Sequence, residues 1–437
     1  MEHYPAYKDS GFEWIGEIPS HWELRRLATL GNFSKGRGIS RSEIRNEGLP
    51  CIRYGEIYTI YDRVVHRPVS FISVESSISS ERIEKGDVLF TGSGETLEEI
   101  GKSVVYTGEE DIYAGGDLII LKLRTDISPP FTSFLLNSHI VNQQKTRDGK
   151  GGIIVHIYPT QLREIKLTLP PLLEQEAIAS FLDRKTKLID DLIAKKRRLI
   201  ELKKEERTAI INQAVTKGLD PNVPMKDSGI EWLGEIPEHW KVKKLKYVSN
   251  IVLGKMLTPA DKGGYQLKPY LRAQNLNWLK INANDIKEMW FSGTELKHYR
   301  IRKYDLLVSE GGEVGRTSIW NNEIDECYIQ NSVHKVTITG NNNPYYFLYF
   351  FVVSGGRGYF DAAVNRVSIA HLTREKLKEI IVFVPPIHIQ QLIVEFITAF
   401  EASHNFLIDQ LLRQIDLLKE YKTTLISEAV TGKIKIR

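Results

Sequence analysis

Residues 8–27 read KDSGFEWIGEIPSHWELRRL, and residues 226–245 read KDSGIEWLGEIPEHWKVKKL. These two stretches, called the repeat segments below, are identical at 13 of their 20 positions. A second similarity joins residues 165–216 to residues 380–431 at a constant offset of 215, without a gap. A repeat of this length is too long for a solenoid and indicates a duplicated pair of domains. The chain is therefore predicted to consist of two copies of one unit.

Each copy ends in a stretch whose apolar residues recur at steps of three and four, which predicts an amphipathic helix of about forty residues, roughly 60 Å long. Pro171 and Pro386 precede these stretches, and Gly218 and Gly432 follow them, as expected at helix starts and stops. Each apolar stripe is too long for one small domain to cover. We expect the two helices to pack as an antiparallel coiled coil. The alternative is that each helix packs alone on its own domain.

Before each helix lie about 150 residues with short β-rich runs separated by Gly, Asn and Pro, which predicts a mixed domain. The predicted fold class is a duplicated α/β (α+β) chain with pseudo-twofold symmetry: mixed domains at 1–165 and 220–379, and helical segments at 166–219 and 380–437. The mixed domains match each other poorly, as expected for one scaffold that carries two different binding surfaces. The second helix has no repeat segment after it, so we predict that residues 8–27 pack beside residues 425–432.

The composition excludes several classes of protein. With 42% hydrophobic and 26% charged residues among 437, the chain should be globular. Two cysteines, Cys51 and Cys327, are too few and too far apart for a disulfide framework or a zinc site. No apolar run reaches the ~20 residues of a membrane helix, and no secretory signal opens the chain. We expect a cytoplasmic protein with no membrane partner, whose net charge of +4 permits nucleic-acid binding without requiring it.

Motifs that suggest chemistry are incomplete. The segment 94–103 ends in G-K-S, but Thr96 stands where a phosphate-binding loop needs glycine. Asn343-Pro344-Tyr345-Tyr346 lacks the second proline of the N-P-P-Y motif of amino-methyltransferases. His21 and His239 are predicted to be structural. The absence of a complete catalytic motif favours a protein that binds DNA without modifying it. A single-chain DNA-modifying enzyme, either a methyltransferase or a nuclease, is the second hypothesis. A purely structural coiled-coil scaffold is the third.

Arg, Lys, Asn and Gln on glycine-rich loops are the residue types that contact phosphates and base edges. The DNA-binding candidates are Lys35, Arg37, Arg53, Tyr54, Ser93, Arg147 and Lys150 in the first copy, and Lys255, Arg272, Gln274, Asn275, Arg316, Asn331 and Arg366 in the second. For any one of them, an ordinary solvated loop residue or a residue that braces the domain remains the alternative. The candidates for binding a partner protein, on the helices, are Leu192, Leu199, Leu411 and Leu418.

Three sequence patterns carry a family resemblance. They are G-x-E-W-[IL]-G-E-I-P-x-H-W at 11–22 and 229–240, L-P-P-L-x-E-Q at 169–175 with its echo at 384–390, and A-V-T at 214–216 and 429–431. With these patterns the chain resembles, over essentially its whole length, the specificity subunits of type I restriction-modification systems. In the echo, Gln390 follows His388-Ile389, where the family usually has Leu-x-Glu.

The resemblance implies a non-catalytic subunit that reads a bipartite, asymmetric target in double-stranded DNA. The mixed domains would be target-recognition domains, and the helices would be spacers. Two copies of an adenine-N6 methyltransferase subunit would be its partners, with restriction subunits as an optional addition. The chain itself is expected to bind no cofactor, because S-adenosylmethionine and ATP would be bound by the partner subunits.

Overall fold

The computed structural model describes residues 2–94, 96–97, 100–149, 155–230, 234–360 and 371–436. The chain divides into two compact units. The first unit contains Met1–Arg197 and Leu412–Arg437, and the second contains Arg198–Leu411. Each unit thus combines one mixed domain with parts of both long helices.

The first unit is built on two sheets. Its strands are β1 (Tyr7–Asp9), β2 (Glu17–Pro19), β3 (Glu23–Arg26), β4 (Gly31–Lys35), β5 (Leu49–Ile52), β6 (Val64–Val65), β7 (Ser70–Ile72), β8 (Glu81–Ile83), β9 (Val88–Thr91), β10 (Ser93–Gly94), β11 (Ser103–Tyr106), β12 (Ile112–Ala114), β13 (Leu118–Leu123), β14 (Val155–His156) and β15 (Lys166–Leu169). One sheet has the order β4-β13-β9-β11-β6 and the other β7-β5-β12-β8. The buried apolar faces of β9, β11 and β13 supply much of the core between them.

Short helices flank these sheets. They are α1 (Tyr54–Thr59), α2 (Val74–Ile78), α3 (Pro129–Leu136), α4 (His139–Asp148) and α5 (Pro159–Leu162). Helix α3 begins at Pro129 after Ser128, whose hydroxyl accepts a hydrogen bond from the amide of Phe131 and so caps the helix.

The second unit repeats this plan with fewer strands in its described part. They are β16 (Met225–Asp227), β17 (Glu235–Pro237), β18 (Lys241–Lys244), β19 (Ser249–Leu253), β20 (Gln266–Leu271), β21 (Lys287–Phe291), β22 (Leu306–Ser309), β23 (Thr317–Ile319), β24 (Tyr328–Ile329), β25 (Val333–Ile338) and β26 (Ile381–Val384). The sheets are ordered β19-β25-β22-β23 and β21-β20-β24. The helices are α7 (Gly293–Tyr299), α8 (Pro344–Gly356) and α9 (Arg374–Glu379). The predicted duplicated, mixed α/β fold is confirmed.

The two long helices are present. Helix α6 (Leu172–Lys217) has 46 residues, and α10 (Ile387–Val430) has 44. In the first unit, Lys422 binds Asp190 at 2.7 Å, and Lys196 donates to Gln414 at 2.6 Å. In the second unit, Arg207 binds Glu401.

In the first unit, the contact at the later position on α6 (Lys196) is made to the earlier position on α10 (Gln414), so the two helices run antiparallel there, as predicted. Packing of each helix only on its own domain is therefore wrong. Neither helix has a stretch long and apolar enough to cross a membrane, and no other helix in the described ranges does.

A glutamine near the start of each long helix joins the helix to its mixed domain. The carbonyl oxygen of buried Gln175 accepts a hydrogen bond from the amide of Ser128, while its amide group donates to the carbonyl of Pro170. Gln390 makes the matching bonds to the amide of Asn343 and the carbonyl of Pro385. Both glutamines therefore have hydrogen-bond partners for their buried side-chain amide groups.

The chain ends meet in the first unit. Glu2 and Lys435 form a β-bridge, the hydroxyl of Tyr7 donates to the carbonyl of Gly432 at 3.1 Å, and Thr168 donates to Val430 at 2.6 Å. Gly432 lies against Trp22 of the first repeat segment, as Gly218 lies against Trp240 of the second. The prediction that residues 8–27 pack beside residues 425–432 is confirmed.

Candidate nucleic-acid interface

The first unit has an open cleft of about 580 Å³ at the ends of β4 and β5. The basic and aromatic side chains along it are those of Arg41, Arg53 and Tyr54, and Gly115 and Gly116 also line it. The chain folds this way because three backbone hydrogen bonds hold its loops together.

These hydrogen bonds lead from Gly36 to Leu118, from Arg37 to Ala114 and from Gly115 to Ile52, in each case from an amide to a carbonyl. A side chain at Gly36 would collide with the carbonyl of Gly115, so only glycine permits the close approach. The predicted candidates Lys35, Arg37, Arg53 and Tyr54 thus lie in or beside one cleft.

Arg53 is held in a defined position at the rim of this cleft. It precedes α1, and its amide donates to one carboxylate oxygen of Glu56 at 3.2 Å, while its guanidinium Nε donates to the other at 2.7 Å. Glu56 is buried and also accepts a hydrogen bond from the hydroxyl of Ser70. The arginine side chain remains 35% exposed, and its two terminal nitrogens have no hydrogen-bond partner in the described part of the chain.

Lys35 and Arg37 are exposed, and neither forms an ion pair with any residue in the described ranges. Two unpaired cations beside an open cleft create a local positive potential, although the chain as a whole is nearly neutral. Tyr54 is 43% exposed and offers a flat ring at the same rim.

Two further candidates of the first unit do not line the cleft. The hydroxyl of Ser93 is hydrogen-bonded to Nδ1 of His156 at 2.9 Å. The guanidinium of Arg147 stacks on the ring of Trp14, 5.3 Å from its centre, and so contacts the first repeat segment. Lys150 lies outside the described residues.

In the second unit, the loops that carry the candidate residues are joined by backbone hydrogen bonds equivalent to those of the first unit. Here the amide of Gly254 donates to Val333, that of Lys255 to Ile329, and that of Gln330 to Leu271. These bonds repeat the three bonds of the first unit. Arg272 therefore occupies the position of Arg53, and Asn275 that of Glu56.

The equivalent arginine is held by different partners. Asn275 is buried, accepts the amide of Arg272 at 3.0 Å, and donates to the carbonyls of Asn282 and Asp285. The guanidinium Nη2 of Arg272 binds the carboxylate of Asp285 at 2.6 Å, and its Nε is buried without a partner. Lys287 and Arg272 together lower the pKa of Asp285. Asn275 thus positions Arg272 and is itself buried.

Lys255 differs from the exposed candidates, because it is enclosed within the domain. It is buried, its Nζ is paired with Glu295, and it lies 5.2 Å from the centre of the Tyr265 ring. A charge that is already paired inside the domain is poorly placed to contact a phosphate, which favours a structural role for Lys255. Arg37, its equivalent in the first unit, is exposed.

The remaining candidates of the second unit surround Arg272. Arg316 is half-buried, binds Glu313 at 3.0 Å and donates to the carbonyl of Ala273. Asn331 accepts a hydrogen bond from the side chain of Gln330. Gln274 is exposed, and its side chain has no hydrogen-bond partner in the described ranges. Arg366 lies outside the described residues.

Sequence reasoning missed the residues that hold the two arginines, namely Glu56 and Asp285. Glu56 had a detectable signal, since an acidic residue three positions after a helix N-cap forms a capping box. Asp285 had none, because it is 13 residues from Arg272 and reaches it only through the folded loop.

The leucines predicted to bind a partner fall into two groups. Leu192 and Leu199 on α6 are 42% and 39% exposed, and Leu418 on α10 is half-buried. Leu411 is only 6% exposed, because it lies on the face of α10 that packs within the chain. Little of the Leu411 side chain is therefore accessible to a partner in this structure, and its contact with a partner stays a prediction.

Burial raises the pKa values of Cys51 and Cys327 to about 12, so neither thiol is an ionised nucleophile at neutral pH. Within the described ranges, no group of three or more His, Cys, Asp and Glu side chains is placed to bind a metal ion. The histidine of the first repeat segment, His21, binds Glu174 at 3.1 Å, and that carboxylate also accepts from the indole of Trp22. This contact joins the repeat segment to α6 and agrees with the prediction that His21 has a structural role.

Comparisons with known proteins agree with this architecture. The profile of a family described as the type I restriction modification DNA specificity domain matches residues 19–202 and 237–417. The putative type I restriction enzyme MjaX specificity subunit of Methanocaldococcus jannaschii is 26% identical over 458 residues, which cover 99% of this chain and 98% of the relative. The EcoKI specificity subunit of Escherichia coli K12 is 22% identical over 67% of this chain and 62% of its own length.

Two solved structures share the fold. The HsdS subunit from Thermoanaerobacter tengcongensis has a TM-score of 0.61 at 15% identity, covering 98% of this chain and 100% of that one. A chain from a study of complex assembly and conformational transition of the type I R-M system has a TM-score of 0.68 at 16% identity, covering 95% and 99%. Because the family profile matches both halves of the repeat and the relative from Methanocaldococcus jannaschii aligns along nearly the whole chain, this protein belongs to the family of type I restriction-modification specificity subunits.

Proposed function

We propose that this chain reads a DNA target in two separate halves, one with each mixed domain, and that it has no catalytic activity of its own. The observation that carries the proposal is the pair of equivalent arginines, Arg53 and Arg272, which follow equivalent strands and are held by different neighbours. A shared backbone frame gives both units the same way of approaching a duplex. Different residues around each arginine give each unit its own base preference, so the target is asymmetric.

In this proposal the exposed cations of the first unit contact phosphates, and the held side chains contact base edges. Phosphate contacts supply affinity and position, whereas base contacts supply specificity. Lys35 and Arg37 fit the first role because they are exposed and unpaired in the described ranges. Arg53 fits the second because the hydrogen bonds of its amide and its Nε to the carboxylate of Glu56 fix its direction.

The chain would also recruit two copies of an adenine-N6 methyltransferase subunit through its long helices. Leu192 on α6 and Leu407 on α10 are related by the repeat offset of 215 and are 42% and 40% exposed. Leu192 lies in the first unit and Leu407 in the second. Each unit therefore offers an equivalent exposed apolar side chain to one partner subunit. S-adenosylmethionine and, where a restriction subunit joins, ATP would be bound by those partners, in the cytoplasm where the genomic DNA lies.

The test is to purify the chain alone, the methyltransferase encoded beside it alone, and the two together, and to measure methyl transfer to adenine in double-stranded DNA. We expect transfer at specific sites only with the mixture. Methylation or cleavage by the chain alone would instead establish a single-chain DNA-modifying enzyme. Absence of both DNA binding and activity in the mixture would indicate a structural scaffold.

A further inference from the structure

The two equivalent arginines present different numbers of free donors. Glu56 occupies only the Nε of Arg53, so Nη1 and Nη2 have no hydrogen-bond partner in the described ranges. In Arg272, Nη2 is bound to Asp285 and Nε is buried, which leaves Nη1 as the free nitrogen. The first unit therefore offers a pair of parallel N–H donors at its cleft, and the second unit does not offer such a pair at the equivalent position.

A pair of parallel donors matches one base edge in the major groove. Guanine presents two acceptors there, N7 and O6, whereas adenine presents one acceptor and one donor, and cytosine presents a donor. A phosphate also accepts two hydrogen bonds from arginine. Two features favour the base over the phosphate: the buried Glu56 carboxylate neutralises the charge of Arg53, and it restricts the direction of the guanidinium. Unpaired Lys35 and Arg37 beside it are better placed to attract phosphates.

We infer that the half-site read by the first unit contains a guanine recognised by the Nη1 and Nη2 donors of Arg53, and that Glu56 is the positioning residue that aims them. This inference rests on the proposed function and specifies one base of the target. The second half-site has no guanine that is read in this way, because Asp285 already occupies one of the terminal nitrogens of Arg272.

The experiment uses the complex of the chain with its methyltransferase subunit and maps methylated adenines over a library of randomised DNA sites. Arg53→Lys keeps the charge but loses the forked donors. We expect it to reduce the preference for one G·C pair in one half-site on the order of 10-fold or more. Arg272→Lys is the matched control at the equivalent position, and we expect it to cause no comparable loss of preference for guanine in the other half-site.

Glu56→Gln tests the positioning role. Glutamine can still accept the amide of Arg53, as in a capping box, so α1 is retained while the charged contact with Nε is lost. We expect a smaller loss of preference at the same G·C pair, with the other half-site read as before. Unaltered reading of the other half-site by the same complex also shows that each variant is folded and assembled.

Three results would overturn the inference. Equal loss of methylation at all sites after Arg53→Lys would identify a phosphate contact. A change of preference at an A·T pair would exclude guanine, and an unchanged preference after Glu56→Gln would exclude the positioning role. If the unaltered complex showed no split target at all, the proposed function itself would fail, which is a different result from any of these.

Discussion

Lys145 lies in the interior of the first unit and is fully buried. Its Nζ donates to the carbonyl of Leu136 and to the side chain of Asn142 at 3.2 Å, and it forms no ion pair with the side chains that the structure describes. Burial lowers its pKa to about 7. The unfolded chain binds this proton up to the ordinary lysine value of ~10.4, so between about pH 7 and pH 10 the folded state holds fewer protons than the unfolded state.

The free energy of unfolding should therefore rise with pH across this window, by up to ~1.4 kcal/mol per pH unit from this group. Lys145→Met should flatten the rise, as measured by denaturant unfolding at pH 7, 8 and 9. Lys8→Met, at an exposed lysine, serves as the control and should leave the slope unchanged. An equal slope in the Lys145 variant and the unaltered chain would show that this lysine stays protonated.

Lys35 tests the phosphate contacts of the first unit. Because each contacted phosphate releases bound counterions, log affinity should fall linearly with log salt, and Lys35→Ala should reduce the slope by ~1. The loss of affinity should be similar for all DNA sequences. Lys255→Ala, which removes the buried partner of Glu295, should lower thermal stability and leave the slope unchanged. Binding titrations of the assembled complex between 50 and 200 mM salt, roughly the range over which such effects are large, would measure both.

These two lysines also show what sequence can predict about single residues. Lys35 and Lys255 both lie next to a glycine in the sequence, and in the structure both lie at or just after the ends of strands, β4 and β19. Their burial could not be predicted, since Lys255 is neutralised by Glu295, 40 residues away on α7. The equivalence of Arg53 and Arg272 was likewise hidden, because it rests on backbone hydrogen bonds and not on sequence identity.

At the scale of elements, the presence of the long helices could be predicted from sequence. Which of their apolar residues are buried could be predicted only in part. Apolar spacing at three and four residues, with proline before and glycine after, marks such helices in any sequence. It does not say which apolar residue faces the other helix and which faces solvent. Leu192 and Leu411 both fitted the stripe, yet one is 42% exposed and the other 6%. The difference depends on the rotation of each helix about its axis, which packing alone determines.

This difference yields a prediction about assembly. Leu192→Glu should weaken binding of the methyltransferase subunit while leaving the chain folded, because the side chain is already in water. Leu411→Glu should unfold or strongly destabilise the chain, since a carboxylate would replace a buried side chain, at a cost of several kcal/mol. Size-exclusion chromatography with the partner and thermal unfolding without it separate the two effects. Full assembly and normal methylation by the Leu192 variant would exclude α6 as the docking surface at that point.

At the scale of the whole molecule, the contact between the chain ends completes the first unit. Gly432 has a φ of +73° and lies against Pro19 and Trp22 of the repeat segment, with Trp22 3.1 Å from the position of an added Cβ. Gly432→Ala should lower the free energy of unfolding by the backbone cost of roughly 1–2 kcal/mol and by a further steric cost. Gly11→Ala is the matched control, because Gly11 has a φ of +76° and open space around it.

Chemical denaturation of the two glycine variants gives the free energy of unfolding of each. The difference between their losses is the steric cost of the added methyl group at Gly432. A larger loss for Gly432→Ala means that the repeat segment is packed firmly against the end of α10. Equal losses would mean that this contact adds nothing to stability. The repeat made this contact predictable from sequence, because residues 226–245 follow the first long helix and residues 8–27 are their equivalent.

The central claim is that two units of one chain read two halves of one target. The measurement that tests it most directly is mapping of methylated adenines with the assembled complex carrying Arg53→Ala or Arg272→Ala, beside the unaltered complex. We expect the unaltered complex to recognise a split sequence with a fixed gap. Arg53→Ala should relax one half, and Arg272→Ala only the other. A continuous target, or a change spread over both halves by either variant, would contradict the claim.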